Sequence, residues 1–373
     1  MGLTSKTVLA LAIGLAVVLF AATILLWPRL ARRSAAAVFG RVGLLLVTQV
    51  TVFASVGLLA NNSFLFYGSW SDLLGRQQEP GIVLDRTTGA AASRNILRVG
   101  MERPDVPGGS RPTAGGRIDK VVVAGRRSGI ESPAYVYLPP EYFQSDYAHR
   151  NFPAVIVLTG YPGTSENLLK GLQYPRTALD RVKAGRAQPM ILVMLRPTVA
   201  PPRDTECVDI AGGPKTETFF AKDLPQAVSD AYRVGRRARN WGIIGNSTGG
   251  YCALKIGLHH PNRFVASAGL SAYYRAAEDP TTGDLFHGDR SERERADLLW
   301  SLDHLPQPDS SFLVTTSRQG EGNYRSTRLF LAKVRAPAQV SSIVLNSGGH
   351  NFNTWRREIP SALEWMSSRL SED

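Results

Sequence analysis

Hydrophobic and polar positions fall into three regimes along the chain. Thr7 to Trp27 contains no charged residue and is long enough to span a bilayer. Val42 to Ala60 is a second uncharged run, made somewhat more polar by Thr48, Gln49, Thr51 and Ser55. Between them, Pro28 to Arg41 holds Arg29, Arg32, Arg33 and Arg41. Aromatic residues follow the second run at Phe64, Phe66, Tyr67 and Trp70, as expected where a helix meets the membrane interface. The pattern predicts a membrane anchor over residues 1–75 with two transmembrane helices, about 7–27 and 42–60. A cleaved signal peptide fits less well, because the first run is long, its positive end is weak and no small-residue cleavage site follows it.

The second regime, residues 76–116, is rich in Gly, Pro, Arg and Ser and has no sustained period. It reads as a linker, with a short strand suggested near Gly81 to Leu84. The third begins at Lys120-Val121-Val122-Val123, where alternation sets in. A turn at Gly125 to Gly129 leads to Ala134-Tyr135-Val136-Tyr137-Leu138, which together predict an opening antiparallel hairpin. Short apolar runs then recur at Phe152–Leu158, Met190–Leu195, Trp241–Ile244, Val265–Ser271, Phe312–Thr316 and Ser342–Leu345. Helix-like stretches separate them, from Ser165 onward, over Phe220–Tyr232 and over Tyr251–His260. Strands alternating with helices predict a mostly parallel sheet covered on both faces, an α/β fold over residues 117–373.

Charge sharpens this picture. The net charge is +12, of which residues 1–75 supply +4 from Lys6, Arg29, Arg32, Arg33 and Arg41 against Asp72. By the positive-inside rule the arginine connector is cytoplasmic, and the C-terminal domain is then extracytoplasmic. The remaining basic residues are spread out, with no basic stripe interleaved with aromatics, so nucleic acid is not an expected partner. A basic domain beside an anionic membrane or envelope polymer is the expected setting. Two cysteines, Cys207 and Cys252, are too few for a disulfide framework and wrongly spaced for zinc.

The candidate chemistry centres on Gly245-Asn246-Ser247-Thr248-Gly249-Gly250, between the apolar run Trp241–Ile244 and a helical run. A G-x-S-x-G string at a strand–turn–helix junction is the nucleophile elbow of α/β-hydrolases. The turn is sharp enough to strain the serine, and it needs glycines where side chains would strike the neighbouring strand and helix. A serine hydroxyl requires a base. Of six histidines, His350 lies just after the last strand, in the slot this chain order assigns to the base. His259 and His260 are expected to cap the nucleophile helix ahead of Pro261. The acid should follow the strand Phe312–Thr316, and Glu321 is the carboxylate there. Oxyanion donors are expected from the amide of Thr248 and, in the loop after Leu158, from that of Tyr161. No metal or cofactor is called for. Cys252 is five residues past Ser247, and an oxidising compartment would let it pair with Cys207; the alternative is a buried free Cys252.

Taken together, the segments VYLPPEY, VLTGYPG, TETFFAKDLPQAV, IIGNSTGGYCALKIGLHHPNRF and GGHNFNTW resemble the esterase family of α/β-hydrolases. That family includes esterase D-type enzymes and actinobacterial mycolyltransferases, and the resemblance covers about Lys120 to Leu370. It implies the α/β-hydrolase fold, a Ser247–His350 pair and an oxyanion loop at Tyr161. Two departures stand out. Where the mycolyltransferases carry a sugar-contacting aspartate this chain has Thr159, and at the helix position of their acid it has Ala332. Glu321 is therefore the expected acid and trehalose is not the expected acceptor. The readings are a serine esterase or acyltransferase acting on an acyl ester, transfer of the acyl group to an envelope glycan or lipid, or an inactive scaffold on a hydrolase fold.

Overall fold

The computed structural model describes residues 5–64, 95–199, 201 and 203–372. It divides into two compact units, Met1–Leu84 and Asp85–Asp373. In the first, α1 (Lys6–Leu30) and α2 (Ala35–Phe64) pack against each other. Both are long and apolar enough to cross a membrane. No residue of α1 is buried within the protein, and Leu15, Val18, Phe20 and Leu25 all face outward. Apolar surface on this scale, on helices that satisfy their own backbone, suits lipid rather than water. The hydroxyls of Thr23 and Thr48 donate to the carbonyls of Leu19 and Leu44 at 2.8 and 2.7 Å and approach each other to 3.3 Å. Their polarity is thereby absorbed within the helix pair. Phe66, Tyr67, Trp70 and the segment Gly81 to Leu84 lie outside the described residues.

The second unit is built on a nine-stranded sheet of order β1-β2-β3-β5-β4-β6-β7-β8-β9. Its strands are β1 (Ile96–Glu102), β2 (Arg117–Ala124), β3 (Glu131–Leu138), β4 (Ala154–Leu158), β5 (Ile191–Leu195), β6 (Trp241–Asn246), β7 (Ala266–Leu270), β8 (Ser311–Gln319) and β9 (Gln339–Ser347). The first three pair antiparallel, β3 meets β5 antiparallel, and the six strands from β5 to β9 are parallel. This is the α/β-hydrolase arrangement expected from the alternation of runs. Every residue of β4, β5, β6 and β7 is buried, which is why these strands read as unbroken apolar runs.

The expected linker over residues 76–116 ends sooner than its composition implies. Residues 96–102 form β1, and Pro112–Gly115 make a helical turn, both within the second unit. β1 lacks a legible period because it is an edge strand. Val99 and Met101 are 49% and 65% exposed, and the strand holds its place through backbone pairing to β2 with an irregularity between Arg98 and Gly100.

The strand order places the site. The chain goes from β4 outward to β5 on one side, then returns to β6 on the other. The crevice at the carboxyl ends of β4 and β6 is thus a topological switch point, where open α/β sheets bind ligands. The loop after β4 and the turn after β6 both open there. β8 and β9 run past the end of β7 and stay paired as far as Gln319 and Ser347. Their following loops therefore emerge side by side.

Candidate active site

The turn after β6 forces Ser247 to φ 54° and ψ −123°, a conformation few L-residues adopt. It persists because the surroundings overdetermine it. The Ser247 amide donates to Leu270 of β7 at 3.0 Å, and the Ser247 carbonyl accepts from Tyr251 at 3.0 Å. The helix α3 (Thr248–His259) starts at once and is buried from Thr248 to Leu258. Gly249 is required by close approach: a Cβ there would stand 2.3 Å from the Thr159 carbonyl oxygen and 2.6 Å from that of Leu158.

His350 sits between β9 and α4 (Phe352–Arg369). Asn351 caps α4 by accepting from the amides of Asn353 and Thr354, and the His350 ring stands edge-on to Trp355 with centroids 5.2 Å apart. Trp355 is held in turn by its Nε1–H donating to Ser271 Oγ at 2.9 Å. So placed, His350 Nε2 lies 2.8 Å from Ser247 Oγ. The ring is open to solvent on one side, yet the protein around it disfavours the imidazolium and holds its pKa below the ordinary histidine value. The charge of Glu321 opposes that shift.

Glu321 is brought to the same end of the sheet. Gly320, at φ +94°, lies so close to Gly348 that a Cβ would meet its carbonyl oxygen at 2.4 Å, and the Gly348 amide donates to Gln319 at 3.0 Å. The acid loop and the histidine loop are thus in contact. Both Glu321 carboxylate oxygens are buried without a hydrogen-bond partner among the described residues, so no hydrogen bond joins Glu321 to His350.

The loop after β4 lies over the serine: a Cβ on Gly160 would be 2.9 Å from Ser247 Cβ. Its shape comes from a turn between Gly160 and Gly163 and from the Thr159 hydroxyl, which donates to the Gly160 carbonyl at 2.5 Å. Thr159 is 2% exposed and its hydroxyl is turned into its own loop. Tyr161 is on the outer arm of this loop and borders a cleft of about 590 Å³ with Arg203, Thr281, Asp284 and His287. The Thr248 amide, first of α3, has no carbonyl to bond within its own helix. These two amides belong to the residues directly after Gly160 and Ser247, whose close approach is described above. Among the described residues no group of three or more His, Cys, Asp or Glu side chains is arranged to hold a metal ion.

Cys207 and Cys252 form a disulfide with Cα atoms 5.7 Å apart. His260 is the C-cap residue of α3, its amide donating to the Ile256 carbonyl at 2.8 Å, but neither His259 nor His260 caps the helix with its side chain. His259 Nε2 meets the Arg295 carbonyl at 3.0 Å, and His260 Nε2 meets Glu217 at 2.8 Å. Each finds a partner from another part of the fold, which outcompetes a local cap.

Three site residues escaped the sequence reading. The Tyr273 hydroxyl lies within hydrogen-bond distance of Glu206 and Thr248, and Glu358 of α4 accepts from Thr315 Oγ1 at 2.8 Å. Glu358 is fully buried, and burial pushes its carboxyl up to about 8, with the Glu321 charge adding to the rise. Glu206 in a polar loop and Glu358 in a helix carry no local signal. Only the fold brings them to the serine's neighbours.

A family model described as "Putative esterase" matches residues 127–366. An uncharacterized protein of Corynebacterium glutamicum is 26% identical over 259 residues, which cover 65% of this chain and 58% of that protein. The match thus spans little more than half of the relative's length. Among solved structures, the S-formylglutathione hydrolase of Agrobacterium tumefaciens aligns with a TM-score of 0.57 at 17% identity, covering 74% of this chain and 100% of that one. A ferulic acid esterase aligns at 0.57 and 20% identity, covering 68% and 98%. The fluorophosphonate-binding serine hydrolase FphF of Staphylococcus aureus aligns at 0.53 and 18% identity, covering 66% and 97%. At these identities the likeness is one of fold.

Proposed function

The chain belongs to the esterase family, and from that premise we propose that it is a membrane-anchored serine esterase with its catalytic unit outside the cytoplasm. The observation that carries the reading is the 2.8 Å contact between His350 Nε2 and Ser247 Oγ on a strained elbow. In the reaction, Ser247 Oγ attacks the ester carbonyl carbon while His350 Nε2 takes its proton. The oxyanion is met by the amides of Thr248 and Tyr161. Collapse breaks the bond to the leaving alcohol, which receives the proton from His350, and an acyl-Ser247 ester remains. Water, deprotonated by His350, then attacks that ester, releasing the acid and restoring the serine. Glu321 completes a Ser-His-Glu triad by favouring the imidazolium formed at each step. The lowered His350 pKa keeps the imidazole neutral near pH 7, as a base must be.

Water is the acceptor in this reading because position 159 carries a threonine, not a carboxylate, and its hydroxyl bonds within its own loop. Transfer to an envelope glycan or lipid hydroxyl uses the same acyl-enzyme. It would appear as new esters when polyols or envelope glycans are added to acyl-Ser247. The membrane setting is supported by α1 and α2, with Arg32 and Arg33 between them. The outward-facing catalytic unit is supported by the Cys207–Cys252 disulfide, a bond suited to an oxidising compartment.

The test has two arms. A fluorophosphonate probe should label the wild type and not Ser247→Ala, and Ser247→Ala or His350→Ala should lose ester turnover by on the order of 10³ or more. Wild-type turnover in Ser247→Ala would sink the mechanism. A cysteine introduced between α1 and α2 should resist an impermeant thiol reagent in intact cells, while one placed in 103–111 should react. The reverse pattern would refute the orientation.

A further inference from the structure

Beside the serine lies a second polar assembly that the triad does not use. Tyr273 Oη is surrounded by three oxygens: Glu206 Oε1 at 2.6 Å, Glu206 Oε2 at 2.8 Å and Thr248 Oγ1 at 3.0 Å. Its ring stacks on Tyr251 of α3 with centroids 5.1 Å apart and planes 16° from parallel. Glu206 is 1% exposed. It and Cys207 both take left-handed backbone angles, φ 47° and 51°. Such strain persists only under external constraint, and Cys207 supplies it twice over. Its sulfur is bonded to Cys252 of α3, and its carbonyl accepts from the buried Lys255 Nζ of the same helix at 2.7 Å. The loop is thereby riveted to the nucleophile helix, and the Glu206 carboxyl is presented to one hydroxyl.

We propose that Glu206 is a positioning residue for the acyl-transfer step, orienting Thr248 of the oxyanion site through the Tyr273 hydroxyl. The inference rests on the esterase reading above.

Proton counting gives the assembly two directions. Tyr273 has one hydroxyl proton and Thr248 has one. When Glu206 is ionised, Tyr273 donates to it and Thr248 must donate to Tyr273. The Thr248 proton is then committed to Tyr273, and a full negative charge stands two hydrogen bonds from Thr248. When Glu206 carries a proton, the chain reverses. Glu206 donates to Tyr273, Tyr273 donates to Thr248 Oγ1, and the Thr248 proton is released to another acceptor. The protonated direction is the one that favours an oxyanion.

The surroundings favour that direction at neutral pH. Burial raises the Glu206 carboxyl to about 8. Asp204 on its own loop and Asp279 in the loop after β7 add to the rise, while the Tyr273 hydrogen bond and Lys255 of α3 oppose it. Tyr251 faces Glu206 from α3 and is itself held neutral, with a pKa well above the ordinary tyrosine value. Asp204, raised to about 6 chiefly by burial, is ionised before Glu206 as pH climbs.

The test compares pH profiles of kcat for the full chain in detergent with a 4-nitrophenyl ester. The wild type should lose rate above about pH 8, approaching tenfold per pH unit as a single ionisation requires. Glu206→Gln keeps a donor toward Tyr273 and cannot ionise, so its rate relative to wild type should rise about fivefold between pH 8 and 9. Glu206→Ala should lose kcat across the range with little change in KM, and Glu206→Gln should restore it. Glu358→Gln, which alters the other carboxyl of similar pKa, should leave the alkaline limb in place. An alkaline limb that survives Glu206→Gln, or one that Glu358→Gln removes instead, overturns the proposal. Fluorophosphonate labelling separates the two failures. A labelled wild type with an unmoved limb defeats only the role of Glu206, whereas an unlabelled wild type defeats the esterase reading itself.

Discussion

Glu321 and Glu206 are two carboxyls that each stand one group behind a partner of the Ser247 reaction, the first behind His350 and the second behind Tyr273 and Thr248. They are held in contrasting ways. Glu321 rides on a loop with glycine on either side, and neither of its oxygens has a hydrogen-bond partner among the described residues. Glu206 is cross-linked through its neighbour to the helix it serves, and both of its oxygens meet Tyr273. The contrast follows from what each group would face. The charge on His350 appears and disappears within each turnover, so its acid gains from staying ionised and free to approach. The oxyanion donors must be preorganised before charge develops, because reorganisation at that moment costs rate. One carboxyl is a charge held in reserve, and the other is part of a frame.

The sharpest way to break this comparison is at Glu321. If it works by charge across an unformed hydrogen bond, Glu321→Gln should lower kcat by on the order of 10²-fold, short of the loss expected for His350→Ala. It should also lower the His350 pKa further, moving the acid limb of kcat/KM to lower pH, because the raising charge is gone. A loss equal to that of His350→Ala would mean that the hydrogen bond forms during turnover and that the two carboxyls are held alike.

A smaller effect is expected from the cross-link. Replacing Cys207 and Cys252 with alanine opens a link between residues 45 apart and should lower stability by about 2–4 kcal/mol. Denaturant unfolding followed by tryptophan fluorescence measures it. The double variant should also blunt the alkaline limb assigned to Glu206, while Ser247 remains open to the fluorophosphonate probe. A variant with unchanged stability and an unchanged pH profile would show that the rivet is redundant with the Lys255 contact.

An effect of similar size, spread over pH, concerns Glu358, whose shift the charge of Glu321 increases. In an unfolded chain it ionises near 4.5, and in the fold near 8. Between those values only the folded state keeps the proton, so its contribution to stability falls as pH rises through that window. Glu358→Gln removes the penalty, and the stability of the variant relative to wild type should increase from pH 5 to pH 8 by about 3 kcal/mol. A difference independent of pH would place the proton elsewhere.

Much of this molecule is legible in the chain because the relevant physics is local. Membrane-length apolar runs, buried strands and a glycine-bounded serine turn each follow from a few consecutive residues. Ser247 is identified by the steric demands of its own turn, and His350 and Glu321 by their order after successive strands. The family match over residues 127–366 agrees with the fold read from those strands. What stayed hidden is non-local. The strand β1 is an edge element whose exposed side chains carry no burial pattern, so it read as linker. Whether Cys207 and Cys252 pair depends on the distance between a loop and a helix, which the crossover from β5 to β6 sets. Glu206, Tyr273 and Glu358 sit in unremarkable local sequence, and their character comes from desolvation and from partners tens of residues away. A carboxyl acquires an altered pKa only when the fold takes it out of water, and no stretch of sequence around it records that.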